Sequence, residues 1–277
     1  MKIVALLFIY NESHVIRKCL DHLVRQGIHF FVTDNGSTDG TREIVLEFKD
    51  RGLIGCDNYP RGESFEFKRL LLHKAKLARD IDADWFIHHD ADEFRMSNLP
   101  GETLHDAVCR IDALGFNAIN FQEFTFIPTV EHPHHEPDTF LATMKWYYPF
   151  LPRPLHRVNV WKNGYDDLDF ISSGGHWVQF KERRIYPESL SMRHYMYISL
   201  EQFLHKYRDR RHHPEELERG WHGWREQANE STYFIPSESQ LKVYDPDQPW
   251  RLDARNPLHK HLISHSRMGN SAPTPPG

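Results

Sequence analysis

Trp85-Phe86-Ile87-His88-His89-Asp90-Ala91-Asp92-Glu93-Phe94 is the stretch that decides how the rest of the chain is read. Aromatic and aliphatic β-formers run straight into a cluster of acids. That is the pattern of a buried strand ending at a sheet edge. In open α/β sheets, ligands bind beyond the carboxyl ends of the strands. Asp90 and Asp92 are two apart, so on an extended chain their side chains face the same way. Two adjacent carboxylates repel each other unless a cation sits between them. Mn2+ or Mg2+ suits that position, because both take oxygen ligands and leave room for phosphate oxygens. The bland alternative is a solvated acidic turn, and the surrounding chain decides between the two.

Upstream, strand and helix patterns alternate. Lys2 to Ile9 is a continuous apolar run, as expected of a strand covered on both faces. It is too short for a membrane span, lacks a small-residue cleavage site and meets Asn11-Glu12 at once. Ser13 offers an N-cap to a helix carrying Val15, Ile16, Cys19, Leu20, Leu23 and Val24, which Gly27 closes. His29 to Thr33 is a second strand, and Asp34 to Thr41 is a polar loop before a helix with Ile44, Val45 and Phe48. Leu53 to Cys56 is a third strand, and helical spacing runs from Glu63 to Ile81. The alternation predicts a mostly parallel, Rossmann-like central sheet with helices on both faces. No Gly-x-Gly-x-x-Gly or Gly-Lys-Ser/Thr follows a strand, so another group must neutralise any phosphate bound here.

Downstream the pattern loosens. Thr103 to Leu114 is a helix, Asn117 to Ile127 one strand, and 128–160 long loops rich in Pro, His and aromatics that shape a pocket. Trp161 to Met192 holds short strands. Leu200 to Arg208 is a helix with Ser199 as N-cap and Gln202 at the capping-box position. Ser271 to Gly277 is expected to be a disordered tail.

With 277 residues, 39% hydrophobic and 13% aromatic, the chain supports a real core. A formal charge of -5 with no basic face gives no reason to expect a nucleic-acid partner. Cys19, Cys56 and Cys109 form no metal or redox motif and suit a reducing compartment.

Three segments carry a family likeness. Phe8-Ile9-Tyr10-Asn11-Glu12, followed by Val32-Thr33-Asp34-Asn35-Gly36-Ser37-Thr38-Asp39-Gly40-Thr41, resembles the opening of family 2 glycosyltransferases of the GT-A fold. Ala83 to Phe94 is similar to the Asp-x-Asp segment of their bacterial subgroup. Arg193-His194-Tyr195, with Ser199 to Leu204 and Lys206, is similar to its C-terminal motif. The resemblance implies a single GT-A domain over 1–270. A nucleotide-sugar half would cover 1–95, an irregular acceptor-side half 96–210, and a helical or loop extension 211–270.

The implied activity is transfer of a sugar from a nucleotide-diphosphate sugar to a glycan or lipid-linked acceptor, with inversion. Tyr10, Asn11, Glu12 and Asp34 would hold the nucleoside, with Asp34 on the base. Asp90 and Asp92 would hold the ribose and the Mn2+ or Mg2+ ion. His194, with His176 second, would complete the metal site. Lys68 or Arg69 would add positive charge. The base is sought among Asp166, Asp167, Asp169 and Glu123, with Asp169 preferred and His176 kept beside it in the catalytic set. Trp146, Tyr147, Tyr148, Trp161 and Trp177 are candidate sugar platforms. Two other readings stay open: a nucleotidyltransferase, and a non-catalytic module that binds nucleotide sugars. The expected location is cytoplasmic, with transient contact to membrane-bound acceptors and no transmembrane segment.

Overall fold

The computed structural model describes residues 1–62, 66–152, 157–207, 218 and 229–262. The N-terminal apolar run forms strand β1 (Ile3–Ile9), and helix α1 (Ile16–Arg25) buries Ile16, Cys19, Leu20 and Leu23 beside it. Gly27 closes α1 in a left-handed conformation, φ +72°. Its amide bonds to the Val24 carbonyl at 3.1 Å, and the Ile28 amide bonds to Leu23 at 2.9 Å. Those two reverse bonds satisfy carbonyls that the helix end leaves unpaired. The start of α1 departs from expectation. Ser13 does not cap it; its amide donates to Asp39, tying this loop to the next one, and Val15 sits at the cap without a side-chain bond.

Next come β2 (His29–Asp34), α2 (Thr41–Leu46), β3 (Leu53–Asn58), α3 (Phe67–Asp80) and β4 (Trp85–His89). The expected start of α3 near Glu63 falls partly outside the described residues. Strands β3, β2, β1 and β4 lie side by side in that order, all parallel. The chain therefore builds outward from β1 on one side and then returns to its other side with β4. That reversal opens a crevice beyond the carboxyl ends of β1 and β4.

The remaining elements are β5 (Glu93–Met96), α4 (Leu104–Ala113), β6 (Ala118–Ile119), β7 (Phe121–Phe126), α5 (Phe140–Thr143), β8 (Trp146–Phe150), β9 (Val160–Lys162), β10 (Leu190–Tyr195), α6 (Leu200–Tyr207) and β11 (Lys242–Val243). Antiparallel β9 and β6 complete the first sheet next to β4. The other strands form a second sheet, β11-β8-β7-β10-β5, in which only β7 and β10 run parallel.

This second sheet frames the region expected to be irregular. The run read as one strand over 117–127 divides at Asn120, whose carbonyl accepts from Leu190 and whose amide group donates to Ser189. There the chain leaves the first sheet for the second. Part of the stretch expected to be loops is β8, and Tyr147, Tyr148 and Trp161 are buried in the core rather than open to a ligand. Phe126 stacks between Tyr147 and Tyr195, at 5.3 and 4.8 Å between ring centres, and joins the apolar layer shared by both sheets. The tail over 271–277, and the extension over 211–270 except residues 218 and 229–262, lie outside the described residues.

His22, His88 and His89 are buried, and desolvation lowers the proton affinity of each. His22 falls to about 3, its Nε2–H donating to the Arg95 carbonyl at 2.7 Å. Unfolding frees these rings to bind protons near their ordinary value. Their contribution to stability is therefore present above that value and lost as pH falls, by about 1.4 kcal/mol per pH unit for each ring. Three such rings outweigh His194, which the fold holds charged. The urea midpoint is expected to be lower near pH 5 than near pH 7.5. Equal midpoints would contradict neutral burial.

Candidate functional site

The crevice at the ends of β1 and β4 is a cleft of about 590 Å³. Phe8, Ile9 and Tyr10 end β1 on one wall, with Glu12 and Asn35 beside them. His88, Asp90, Asp92 and Glu93 form the floor where β4 turns into β5. Arg157, Asn159 and the turn over 172–176 face them. Phe150, Met196, Tyr207 and His261 close the far end.

The two acids of the Asp-x-Asp stretch do different work. The chain turns between β4 and β5, so the extended geometry assumed from spacing does not hold. The Asp90 carboxylate is open to the cleft, with 54% of its side chain exposed. The Asp92 side chain is only 9% exposed and meets two cations, the Lys206 ammonium and Nε2 of His194 at 3.4 Å. Burial alone would raise its pKa, but Lys206 and His194 hold it well below the usual carboxylate range.

His194 Nδ1 lies 2.6 Å from Glu123, and Glu123 accepts from Arg157 at 2.9 and 2.6 Å. Desolvation opposes charge on His194, yet Asp92 and Glu123 raise it to about 10. Lys206, Asp92, His194, Glu123 and Arg157 thus alternate in sign, three cations and two anions, along one side of the cleft.

Local sequence chemistry sets this row. The β10 register places His194 opposite Glu93 on β5 and Thr125 on β7. Ser199 Oγ accepts from the Gln202 amide at 3.1 Å, and the Gln202 side chain accepts from the Ile198 amide at 3.2 Å. This cap, expected from the sequence, fixes the start of α6 and lets Lys206 reach Asp92.

Other expected residues fall unevenly. Tyr10 lines the cleft under the Arg61 guanidinium, 3.7 Å from its ring centre. The Glu12 amide donates to Thr41 at 2.8 Å, and Glu12 lines the cleft. Asn11 takes a positive φ of 53°, and its side chain accepts from the Thr38 amide. Asp34 is buried beneath that loop and accepts from the Ser37 amide at 3.1 Å; the neighbouring lining residue is Asn35.

Lys68 is exposed on α3 and is not among the lining residues, whereas Phe67 and Leu70 are. Asp169 also stands apart. Its carboxylate accepts from the Ile171 and Ser172 amides and the Ser172 hydroxyl, so it caps a turn. His176, on the following loop, does line the cleft. Of the proposed sugar platforms, none is a lining residue; Trp177 lies under Arg183 and Trp146 stacks on His132.

Sequence reasoning missed Asn35, Glu93 and Arg157 as site residues and gave Lys206 no role. Asn35, Glu93 and Lys206 lie within the segments that carry the family likeness, whereas Arg157 carried no signal.

Asp90, open to the cleft, and Asp92 are the oxygen donors that would hold a hard divalent ion. Among the described residues, no three His, Cys, Asp or Glu side chains are gathered as a ready-made metal cage. His194, protonated between two carboxylates, offers no lone pair while it stays so. No described helix is long and apolar enough to cross a membrane.

Residues 5–94 match the model of glycosyl transferase family 2. The structure aligns with TarS of S. aureus at 15% identity and a TM-score of 0.41, covering 71% of this chain and 37% of that one. With residues 1–349 of TarS in complex with UDP the values are 16%, 0.40, 75% and 64%. With glucosyl-3-phosphoglycerate synthase of Mycobacterium tuberculosis, in complex with Mn2+, UDP and phosphoglyceric acid, they are 18%, 0.30, 45% and 43%. The chain thus spans less than two thirds of the length of each. No curated protein matches the sequence. The matched segment contains β1 to β4 and the Asp90 turn, and the parallel α/β half it forms is that of the GT-A fold.

Lys206→Met would leave Asp92 buried with one cation fewer. The expected loss is about 3 kcal/mol in urea unfolding, partly recovered when Asp92→Asn is added. No loss would show that Lys206 does not hold Asp92.

Proposed function

We propose that the chain transfers a sugar from a nucleotide-diphosphate sugar to an acceptor hydroxyl, in the synthesis of a glycan or glycoconjugate. The observation that carries this reading is the open Asp90 carboxylate beside buried Asp92, at the switch between β1 and β4, inside the segment that matches the family. Open α/β sheets bind nucleotides at such a switch point. Tyr10, Glu12 and Asn35 receive the nucleoside at one end of the cleft, with Asp34 holding the loop beneath them.

Asp90 and Asp92 would hold Mn2+ or Mg2+, which when bound neutralises charge developing on the leaving diphosphate. Arg157, oriented by Glu123, presents a guanidinium to the same cleft. The aromatic far end, with Phe150 and Tyr207, suits the apolar face of a sugar on the acceptor.

The acceptor hydroxyl must lose its proton as it attacks the anomeric carbon. His176 takes that role here in place of Asp169. Its Nδ1 faces the Ser173 carbonyl at 3.2 Å, and since a carbonyl only accepts, the neutral ring carries its proton there. Nε2 is then the basic nitrogen. Attack from the face opposite the leaving diphosphate inverts the anomeric centre.

Calorimetry with a panel of nucleotide-diphosphate sugars, with and without Mn2+, is expected to find one donor that binds. Asp92→Asn should abolish that binding. His176→Ala should cut turnover by about 100-fold or more while leaving donor affinity near wild type. The nucleotide product should be the diphosphate; release of pyrophosphate would favour a nucleotidyltransferase. Absence of binding by every donor would overturn the reading.

A further inference from the structure

Lys74 lies on α3 and is 1% exposed. A buried ammonium ordinarily meets a carboxylate, because charge is costly to desolvate. Among the described residues, the contacts of Lys74 are of another kind. Its Nζ lies 3.1 Å from Nδ1 of His88 and 3.4 Å from the His89 carbonyl, and it stands 5.0 Å from the Phe8 ring centre. Asp90 and Glu93 favour its charge only at longer range, and Arg95 opposes it.

This contact fixes the state of His88. An ammonium has donors and no acceptor, so Nδ1 must accept. With its Nδ1 lone pair taken by the ammonium 3.1 Å away, the ring has no proton there. A neutral imidazole accepting at Nδ1 carries its proton at Nε2. Nε2 lies on the side of Asp90, 3.9 Å from Oδ1, too far for a hydrogen bond. The turn facing it also fixes the plane of the ring. A Cβ at Gly175 would come within 2.8 Å of Nε2 and 2.7 Å of Cε1, so only glycine lets that turn pack so closely. The other charged and titratable groups acting on the ring are Asp90, Arg95 and His176.

We infer that Lys74 and His88 form a second anion-binding device in the cleft floor: His88 donates its Nε2–H to the diphosphate of the bound nucleotide, and Lys74 is the positioning residue behind it. The inference deepens the proposed reaction and rests on that reading for the identity of the anion. It also explains why a buried lysine is kept here without a carboxylate in contact, at a cost in stability.

The test uses the full chain with Lys74→Met, His88→Leu and His88→Gln. Three quantities are read: thermal midpoint, affinity for UDP and for inorganic pyrophosphate by calorimetry, and the protonated ring nitrogen of His88 by long-range 1H–15N spectroscopy. The wild type is expected to show the Nε2–H tautomer. Lys74→Met should hold or raise the midpoint, lose the fixed tautomer and weaken both ligands about tenfold. His88→Leu should weaken them similarly, whereas His88→Gln, with an amide donor near the Nε2 position, should restore most of the affinity.

A lower midpoint with unchanged affinity in Lys74→Met would make Lys74 structural and overturn the inference. So would an Nδ1–H tautomer in the wild type, or failure of the wild type to bind either ligand. Binding of pyrophosphate but of no nucleotide would sink the nucleotide-sugar reading and leave the anion site standing.

Discussion

The charged row along one side of the cleft depends on one buried carboxylate. Asp92 sits between the end of the first sheet and the start of the second, and its negative charge is met by His194 from β10 and Lys206 from α6. Removing either partner exposes the high cost of an uncompensated buried charge. The same contacts set where three elements stand. His194 reaches on to Glu123, and Glu123 orients Arg157 on the facing wall. A single carboxylate near the N-terminal half thereby fixes the position of cations supplied by the C-terminal half. Asp90, two residues earlier, is left open to the cleft.

The two halves contribute different physics. The parallel half supplies loops at strand ends, where the reversal from β3 back to β4 leaves a crevice by topology alone. The second sheet supplies side chains that are already paired, so they are held rigidly before a ligand arrives. The floor is more heavily charged than the burial would ordinarily allow. Arg95 is fully buried beneath it, 2.7 Å from Glu93 and 3.2 Å from Asn159. Lys74 and Arg95 below, with Lys206, His194 and Arg157 beside, gather positive charge around the acids. Such a site favours an anionic ligand.

The parallel half was legible because its signals are local. A continuous apolar strand, a helix stopped by Gly27 and a polar loop from Asp34 each have one reading, and each appears in the structure. The capped start of α6 was legible for the same reason. The second sheet was not, because its strands pair over long separations, as His194 does with Glu93, and short strands among prolines look like loops. The break at Asn120 is invisible in a run of apolar residues that simply changes sheets. At the site, Asp90 and Asp92 stood out by spacing, but that spacing assumed an extended chain, and the turn gives each a separate environment. Asp169 looked like a base because acids near glycines are conspicuous; its bonds to the turn amides depend on backbone geometry that spacing does not encode. His176 lines the cleft because the turn that Asp169 caps carries it there.

The measurement that tests this account most directly is a crystal structure with UDP and Mn2+, with anomalous data collected for manganese. The nucleoside is expected between Tyr10 and Asn35, the diphosphate over Asp90 and Asp92, and the manganese peak against those two carboxylates. Nucleotide bound away from the ends of β1 and β4, or a cleft that stays empty at saturating UDP, would contradict it.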